Sequence, residues 1–199
     1  MKIGLTGSIA CGKSTVSAYL RTLGFAVVDA DAISHALTAP GGDALPALRA
    51  AFGPAVFDGT ALNRRALGQL VFADPAQRSR LNAILHPIIN ARIIRQLDRL
   101  DAVGGYVFAD VPLLYECGLD AHMDAVWVIC ASRETQIARL AARDSLSADQ
   151  AKSRIDAQMP LEEKMRRADA RIYTDTSLLD TQRQVLALLH TLRERSHHE

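Results

Sequence analysis

The chain has 199 residues, 49% of them hydrophobic and 23% charged, a globular composition that excludes disordered, collagenous and disulfide-stapled proteins. Lys and Arg number 23 against 22 for Asp and Glu, giving a net charge of +1, so the basic excess of a protein built to grip a nucleic-acid backbone is missing. The cations are 19 Arg and only four Lys, so a Lys inside a motif carries weight.

Taken in chain order, Lys2–Thr6 is a short apolar run, as expected of a strand buried in a parallel sheet. A glycine-rich turn follows, then a helix from about Gly12 to Leu23, with Gly24 placed to close it. Phe25–Val28 reads as a second strand that ends in Asp29-Ala30-Asp31. From 32 to 101 the pattern is helical throughout. Ala39-Pro40-Gly41-Gly42 and Phe57-Asp58-Gly59 are turns, Asn63 and Asp74-Pro75 start helices, and His86-Pro87 opens another. Gly104-Gly105 breaks the run, and Tyr106–Ala109 is a third strand leading to Asp110. Ala125–Cys130 is the fourth, with Ser132 as the N-cap of the next helix. Ser147 and Gln150 fit a capping box. Ala170–Thr174 is a fifth strand, and a closing helix runs from about Leu178 to Arg193.

This alternation predicts an α/β fold with a five-strand parallel sheet. The core would comprise 1–31, 102–143 and 169–199. The stretch 32–101 is too long for one crossover and is expected to form a helical substrate lobe, with 144–168 a small helical lid. Trp127 and Tyr106 lie in strands and are expected in the core. Cys11, Cys117 and Cys130 form no CxxC or metal spacing, which fits a reducing compartment. No uncharged stretch reaches the length of a membrane span. The N-terminal apolar run is too short and too glycine-broken for an export signal. A cytoplasmic protein with no membrane and no nucleic-acid partner is expected.

The run from Gly7 through Gly12, Lys13 and Ser14 matches G-x-x-x-x-G-K-[ST], between a strand and a helix as that motif requires. The glycines let the backbone wrap a nest of N–H groups around phosphates, and the helix N-terminus adds positive charge. Lys13 would bridge the β- and γ-phosphates, and Ser14 would ligate Mg²⁺. ATP contacts are expected from Ser8, Ala10, Cys11, Gly12, Lys13, Ser14 and Thr15. No Asn-Lys-x-Asp run is present to read guanine. Asp110 either holds Mg²⁺ through water or caps a turn. Two lobes around a small core suit a small-molecule kinase, which must exclude water from ATP. A nucleotide-dependent binding protein that hydrolyses ATP slowly is the alternative from another class.

Several motifs recur in order: GLTGSIACGKST, Val27-Val28-Asp29-Ala30-Asp31, Phe52-Gly53, Leu62-Asn63-Arg64-Arg65, Val71-Phe72, His86-Pro87 and Asp110-Val111-Pro112-Leu113-Leu114-Tyr115-Glu116. Thr135-Gln136, Arg139, Arg143, Arg154-Ile155 with Gln158, and Glu163-Lys164 with Ala168-Asp169 follow. Through them the chain resembles the dephospho-CoA kinases from Lys2 to about Thr174. The resemblance implies a P-loop core like that of the nucleoside monophosphate kinases, a helical CoA-binding lobe and a lid. It implies transfer of a phosphoryl group from ATP to the ribose 3′-hydroxyl of 3′-dephospho-CoA, with Mg²⁺, by a monomer or small homo-oligomer.

By that resemblance Asp31 is the general base, with Lys13 and Arg139 as the other catalytic residues. Arg143 lies against the nucleotide, and Asp31, Arg65 and His86 meet the acceptor. Other readings stand beside these. Asp31 is also placed to be a helix N-cap, with Asp29 behind it. Arg139 and Arg143, four apart, also make a solvated helix face, and His86 also serves to pack a helix start. Lys164, Arg166 and Arg167 read as lid surface. The chain departs from the family at Ala10-Cys11 and at the turn Tyr173–Ser177, which should lie beside the adenine. Cys11, at a helix N-terminus next to Lys13, is either a reactive thiol of lowered pKa or a small buried residue. The terminal Ser196–Glu199 is too short for a metal site.

Overall fold

The computed structural model describes residues 1–196. β1 (Lys2–Gly7) is buried along nearly its whole length. α1 (Lys13–Thr22) sets Val16, Ser17 and Leu20 on one buried face. Gly24 ends it in the left-handed region at φ 86°, which lets the Phe25 N–H reach back to the Leu20 carbonyl. β2 (Ala26–Asp29) comes next. From there Asp29–Asp98 forms one compact unit, while Met1–Val28 and the chain from Arg99 onward form the other.

The first of these units holds α2 (Ala30–Leu37), α3 (Leu45–Phe52), β3 (Phe57–Asp58), β4 (Ala61–Leu62), α4 (Arg64–Ala73) and α5 (Pro75–Asp101). Asn63 and Asp74 start their helices as expected, accepting from the Ala66 and Ala76 N–H groups at 2.9 and 2.7 Å. Two expectations fail here. The stretch is not helical throughout, because Phe57 pairs with Leu62 and Asp58 with Ala61 in an antiparallel hairpin. Gly59, at φ 62°, permits the tight reversal, and Arg49 stacks 4.5 Å over the Phe57 ring while donating to the Gly59 carbonyl. His86-Pro87 does not open a helix either: Pro87 lies inside the 27-residue α5. An interior proline forfeits one ladder bond at about 3 kcal/mol, a cost a long helix with Ile93 and Leu97 fully buried can absorb.

The other unit continues with β5 (Val107–Asp110), β6 (Ala125–Cys130), α6 (Arg133–Asp144), α7 (Ala148–Asp156), α8 (Leu161–Arg167), β7 (Ala170–Tyr173) and α9 (Leu178–Ser196). Ser132 caps α6, and Ser147 with Gln150 forms the full capping box of α7. The strands make a five-stranded sheet in the order β2-β5-β1-β6-β7. The pairings of β1 with β5, β1 with β6 and β6 with β7 are all parallel. Ile3, Leu5, Phe108, Trp127 and Ile129 pack on Val16 and Leu20 of α1 and on Val185, Leu189 and Leu192 of α9. Phe108 stacks 5.4 Å from Trp127 and edge-on to Phe25 at 5.5 Å. Residues 197–199, including the terminal histidine pair, lie outside the described residues.

The segment 144–168 falls in the same compact unit as the sheet. Leu140, Ala151 and Ile155 form a small satellite core against Ile9 and Ala10 of the loop after β1. Lys164 is not on the surface, contrary to the sequence reading. Its side chain is 0% exposed, paired with Glu116 at 2.8 Å and donating to the Pro112 carbonyl at 3.0 Å. Arg167 does face outward, stacking 4.1 Å over Tyr115 and pairing with Asp120. Glu116→Ala is expected to destabilise the fold by about 3–5 kcal/mol, because it strands a buried cation. Lys164→Met should cost less, since the remaining Glu116 side chain is 23% exposed and can reach water. Urea unfolding of both variants checks the order.

Candidate active site

The loop between β1 and α1 is a phosphate cradle by geometry. A Cβ on Gly7 would lie 2.5 Å from the Ile129 carbonyl oxygen, so only glycine lets β1 run beside β6 at this point. Gly12 sits at φ 84° and Ala10 at φ 62°, the left-handed turns that aim successive N–H groups to one side. The Cys11 N–H donates to the Ser8 carbonyl at 3.2 Å. On the far side Thr174 Oγ1 donates to the Cys11 carbonyl at 2.7 Å, tying the loop to the end of β7. Ser14 and Thr15, in the first turn of α1, are exposed.

Lys13 pairs with Asp110, whose other carboxylate oxygen accepts from Ser17 Oγ. Asp110 is therefore a buried partner of the loop lysine at the end of β5, not a turn cap. Its lone pairs still leave room for a water. Among the described residues no cluster of three or more His, Cys, Asp or Glu exists that would hold a metal alone. The Ser14 hydroxyl and a water on Asp110 would suit Mg²⁺, which keeps waters and phosphate oxygens and takes few protein ligands.

Arg139 donates to Thr174 Oγ1 at 2.9 Å and to the Thr174 carbonyl at 2.6 Å, which places it one residue's reach from the loop. Arg143, one turn on, is exposed and holds Asp144 at 2.8 Å; these bonds push the Asp144 carboxyl below its ordinary range. Asp175 accepts from the Ser132 N–H at 2.9 Å, and its bonds to Thr135 and Ser132 also lower its pKa. The turn after β7 is thus pinned to the start of α6.

In the unit Asp29–Asp98, the N-cap of α2 is Asp29, whose side chain accepts from the Ala32 N–H at 3.0 Å. Asp31 stands in the first turn, exposed. The capping role that competed for Asp31 therefore belongs to its neighbour. Arg65 is exposed in the first turn of α4, beside Arg64, which donates to the His35 carbonyl. His86 is half-buried in the middle of α5, so a role at a helix start is removed. Lys13, Asp110 and Arg139 share one compact unit with the loop; Asp31, Arg65 and His86 share the other.

The reactive-thiol reading of Cys11 is overturned. Its side chain is 1% exposed and belongs to the main core. Burial raises its pKa, outweighing the backbone bonds and nearby cations that favour the thiolate. Helix-terminus logic fails because the sulfur points away from the cradle that its backbone builds. Cys130 is buried as well and pushed up to about 12 by burial. Cys117 is only half-buried. Iodoacetamide should therefore label Cys117 first, with Cys11 and Cys130 following only on unfolding, as peptide mass mapping would show.

Sequence reasoning passed over Ser17 and Thr174, and gave Gln158 no role. Ser17 was findable, since it lies one helical turn beyond Lys13. Thr174 was not, because its role depends on where β7 ends.

A glycine loop joining a central parallel strand to a helix, with a lysine paired to an acid on the neighbouring strand, defines a nucleotide-binding protein of the P-loop class. Comparison with known proteins narrows this. A family model described as Dephospho-CoA kinase matches residues 1–180. A dephospho-CoA kinase of Symbiobacterium thermophilum is 53% identical over 188 residues, covering 93% of this chain and 78% of that protein. The solved structure of a dephospho-CoA kinase from Campylobacter jejuni superposes with a TM-score of 0.77 at 30% identity, covering 98% of this chain and 100% of that one. A Thermus thermophilus crystal structure gives 0.80 at 36% identity, covering 98% and 97%. The chain belongs to the dephospho-CoA kinase family.

Proposed function

We infer that this chain is a kinase that transfers the terminal phosphoryl group of ATP to the ribose 3′-hydroxyl of 3′-dephospho-CoA, giving CoA and ADP, the final step of coenzyme A formation. Family membership over residues 1–180 carries the acceptor, and the cradle around Gly12 and Lys13 carries the donor.

Phosphoryl transfer asks the protein for position and for charge placed where the transition state develops it. The N–H groups from Ala10 to Ser14 would hold the phosphates. Lys13, set at the loop by Asp110, would follow the charge that builds on the β–γ bridging oxygen. Arg139, positioned by Thr174, would meet the phosphates from the α6 side, with Arg143 toward the nucleotide. Asp31 would accept the 3′-hydroxyl proton; it is exposed and not committed as a cap. Arg65 and His86 are assigned to the acceptor. Mg²⁺, when bound, would neutralise phosphate charge; Ser14 would hold it, with Asp110 through a water. The three free cysteines suit a cytoplasmic setting. Among the described residues no helix is long and apolar enough to cross a membrane.

The test is coupled ADP release with dephospho-CoA against a panel of nucleosides and nucleotides, with CoA identified as product. Turnover confined to a nucleoside would replace the acceptor, and ADP release indifferent to any acceptor would replace kinase by ATPase.

A further inference from the structure

Gln158, at the junction of α7 and α8, touches the phosphate loop itself. The Ile9 N–H donates to Gln158 Oε1 at 2.8 Å, and Ser8 Oγ donates to the same oxygen at 3.3 Å. A backbone N–H can only donate, so the amide orientation follows from the network: the carbonyl faces the loop.

The position along the loop matters. The first turn of α1, from Gly12 onward, is where a helix N-terminus holds a phosphate, and Lys13 reaches past it toward the terminal one. Ser8 and Ile9 lie upstream of both in the chain, just past β1, and Gln158 Oε1 is the acceptor for the Ser8 hydroxyl and the Ile9 N–H. On the ATP-site reading, an oxygen of a third phosphate reaching this end of the loop would compete with that carbonyl for the Ile9 N–H.

The backbone beneath Gln158 is held. The Met159 N–H donates to Glu116 Oε1 at 3.2 Å, and Glu116 is in turn fixed by the buried Lys164, which also donates to the Pro112 carbonyl. Thr6, at the end of β1, donates to that same carbonyl at 2.9 Å. A side chain on a clamped backbone answers a new ligand by turning its own torsions. Rotation about the last one exchanges carbonyl for NH₂, an acceptor for a donor.

We propose that Gln158 is a specificity-determining residue that reads the terminal phosphate of the nucleoside triphosphate: its carbonyl satisfies the Ile9 N–H, and it yields that N–H to a phosphate oxygen and turns its NH₂ to the same phosphate. The residue thereby sets the preference for triphosphate over diphosphate. This rests on the reading of the loop as the ATP site.

The test compares binding of ADP and of a non-hydrolysable ATP analogue, both with Mg²⁺, by calorimetry on the full chain. Gln158→Glu keeps shape and the Ile9 contact but places a carboxylate against the third phosphate. Affinity for the analogue should fall by about tenfold or more at pH 8, with ADP nearly unaffected. The ratio to the wild-type value at each pH should recover as pH falls, because a protonated Glu is neutral and still accepts from Ile9. Gln158→Met, which has no charge and no donor, should also narrow the preference, without pH dependence; it carries the test if the Glu variant does not fold. Equal losses for ADP and the analogue, or an unchanged ratio in a folded variant, would overturn the proposal. Failure of the wild type to bind either nucleotide would instead overturn the ATP-site reading.

Discussion

Lys13→Ala is expected to lower kcat/KM for ATP by about 10²–10³-fold. The ammonium moves with charge that grows only as the β–γ bond breaks, so its removal is felt in the transition state more than in binding. The structure adds a complication that can be controlled. Lys13 pairs with Asp110, which is buried and also accepts from Ser17, so the alanine variant leaves a buried carboxylate half-partnered. Part of the loss could then come from destabilisation. Asp110→Asn in the Lys13→Ala background removes that stranded charge and should restore thermal stability while leaving the rate low. A double variant that regains wild-type turnover along with stability would make Lys13 a structural residue.

Asp31→Asn is expected to lower kcat by about 10²–10⁴-fold with little change in melting temperature or in ATP affinity. The amide keeps the shape and removes the carboxylate that, as the proposed base, would take the hydroxyl proton; its first-turn charge in α2 is a minor loss by comparison. Asp29→Ala supplies the contrast: it removes the N-cap of α2, costing about 1 kcal/mol of stability. The two acids of one Asp-Ala-Asp turn should thus separate into a kinetic and a thermal phenotype. Melting curves and single-turnover rates on both variants decide the matter. Early melting of Asp31→Asn, with its rate regained on ligand stabilisation, would hand the base to another residue.

The strands and caps were legible because each is a local signal. Ser132, Ser147, Asn63 and Asp74 announce helix starts within four residues, and Ala125–Cys130 reads as a buried strand by its unbroken apolar run. The phosphate loop was legible for the same reason, since its spacing encodes its shape. The hairpin of Phe57–Asp58 with Ala61–Leu62 was a local miss; the other failures depend on a distant partner. His86-Pro87 has the local form of a helix start, but burial of Ile93 and Leu97 keeps α5 continuous through it. Lys164 sits among arginines like a surface residue, and Glu116, 48 positions earlier, together with the Pro112 carbonyl, holds it inside. Cys11 has a helix-terminus address, yet its sulfur turns into the core. In each case tertiary packing outweighs a local rule worth about 1–3 kcal/mol.

Ala10 holds a positive φ without being glycine, and its methyl packs against the cluster of Leu140, Ala151 and Ile155. A left-handed alanine costs roughly 1–2 kcal/mol; burial of that methyl, at about 0.8 kcal/mol, offsets part of it. The Cys11 bond to the Ser8 carbonyl and the Thr174 bond to Cys11 hold the turn as well. The cradle is therefore ordered before any phosphate reaches it, and its conformational entropy is not drawn from the binding free energy. Nucleotide capture should accordingly proceed in one diffusional step, with a linear dependence of observed rate on concentration and no slow loop-ordering phase.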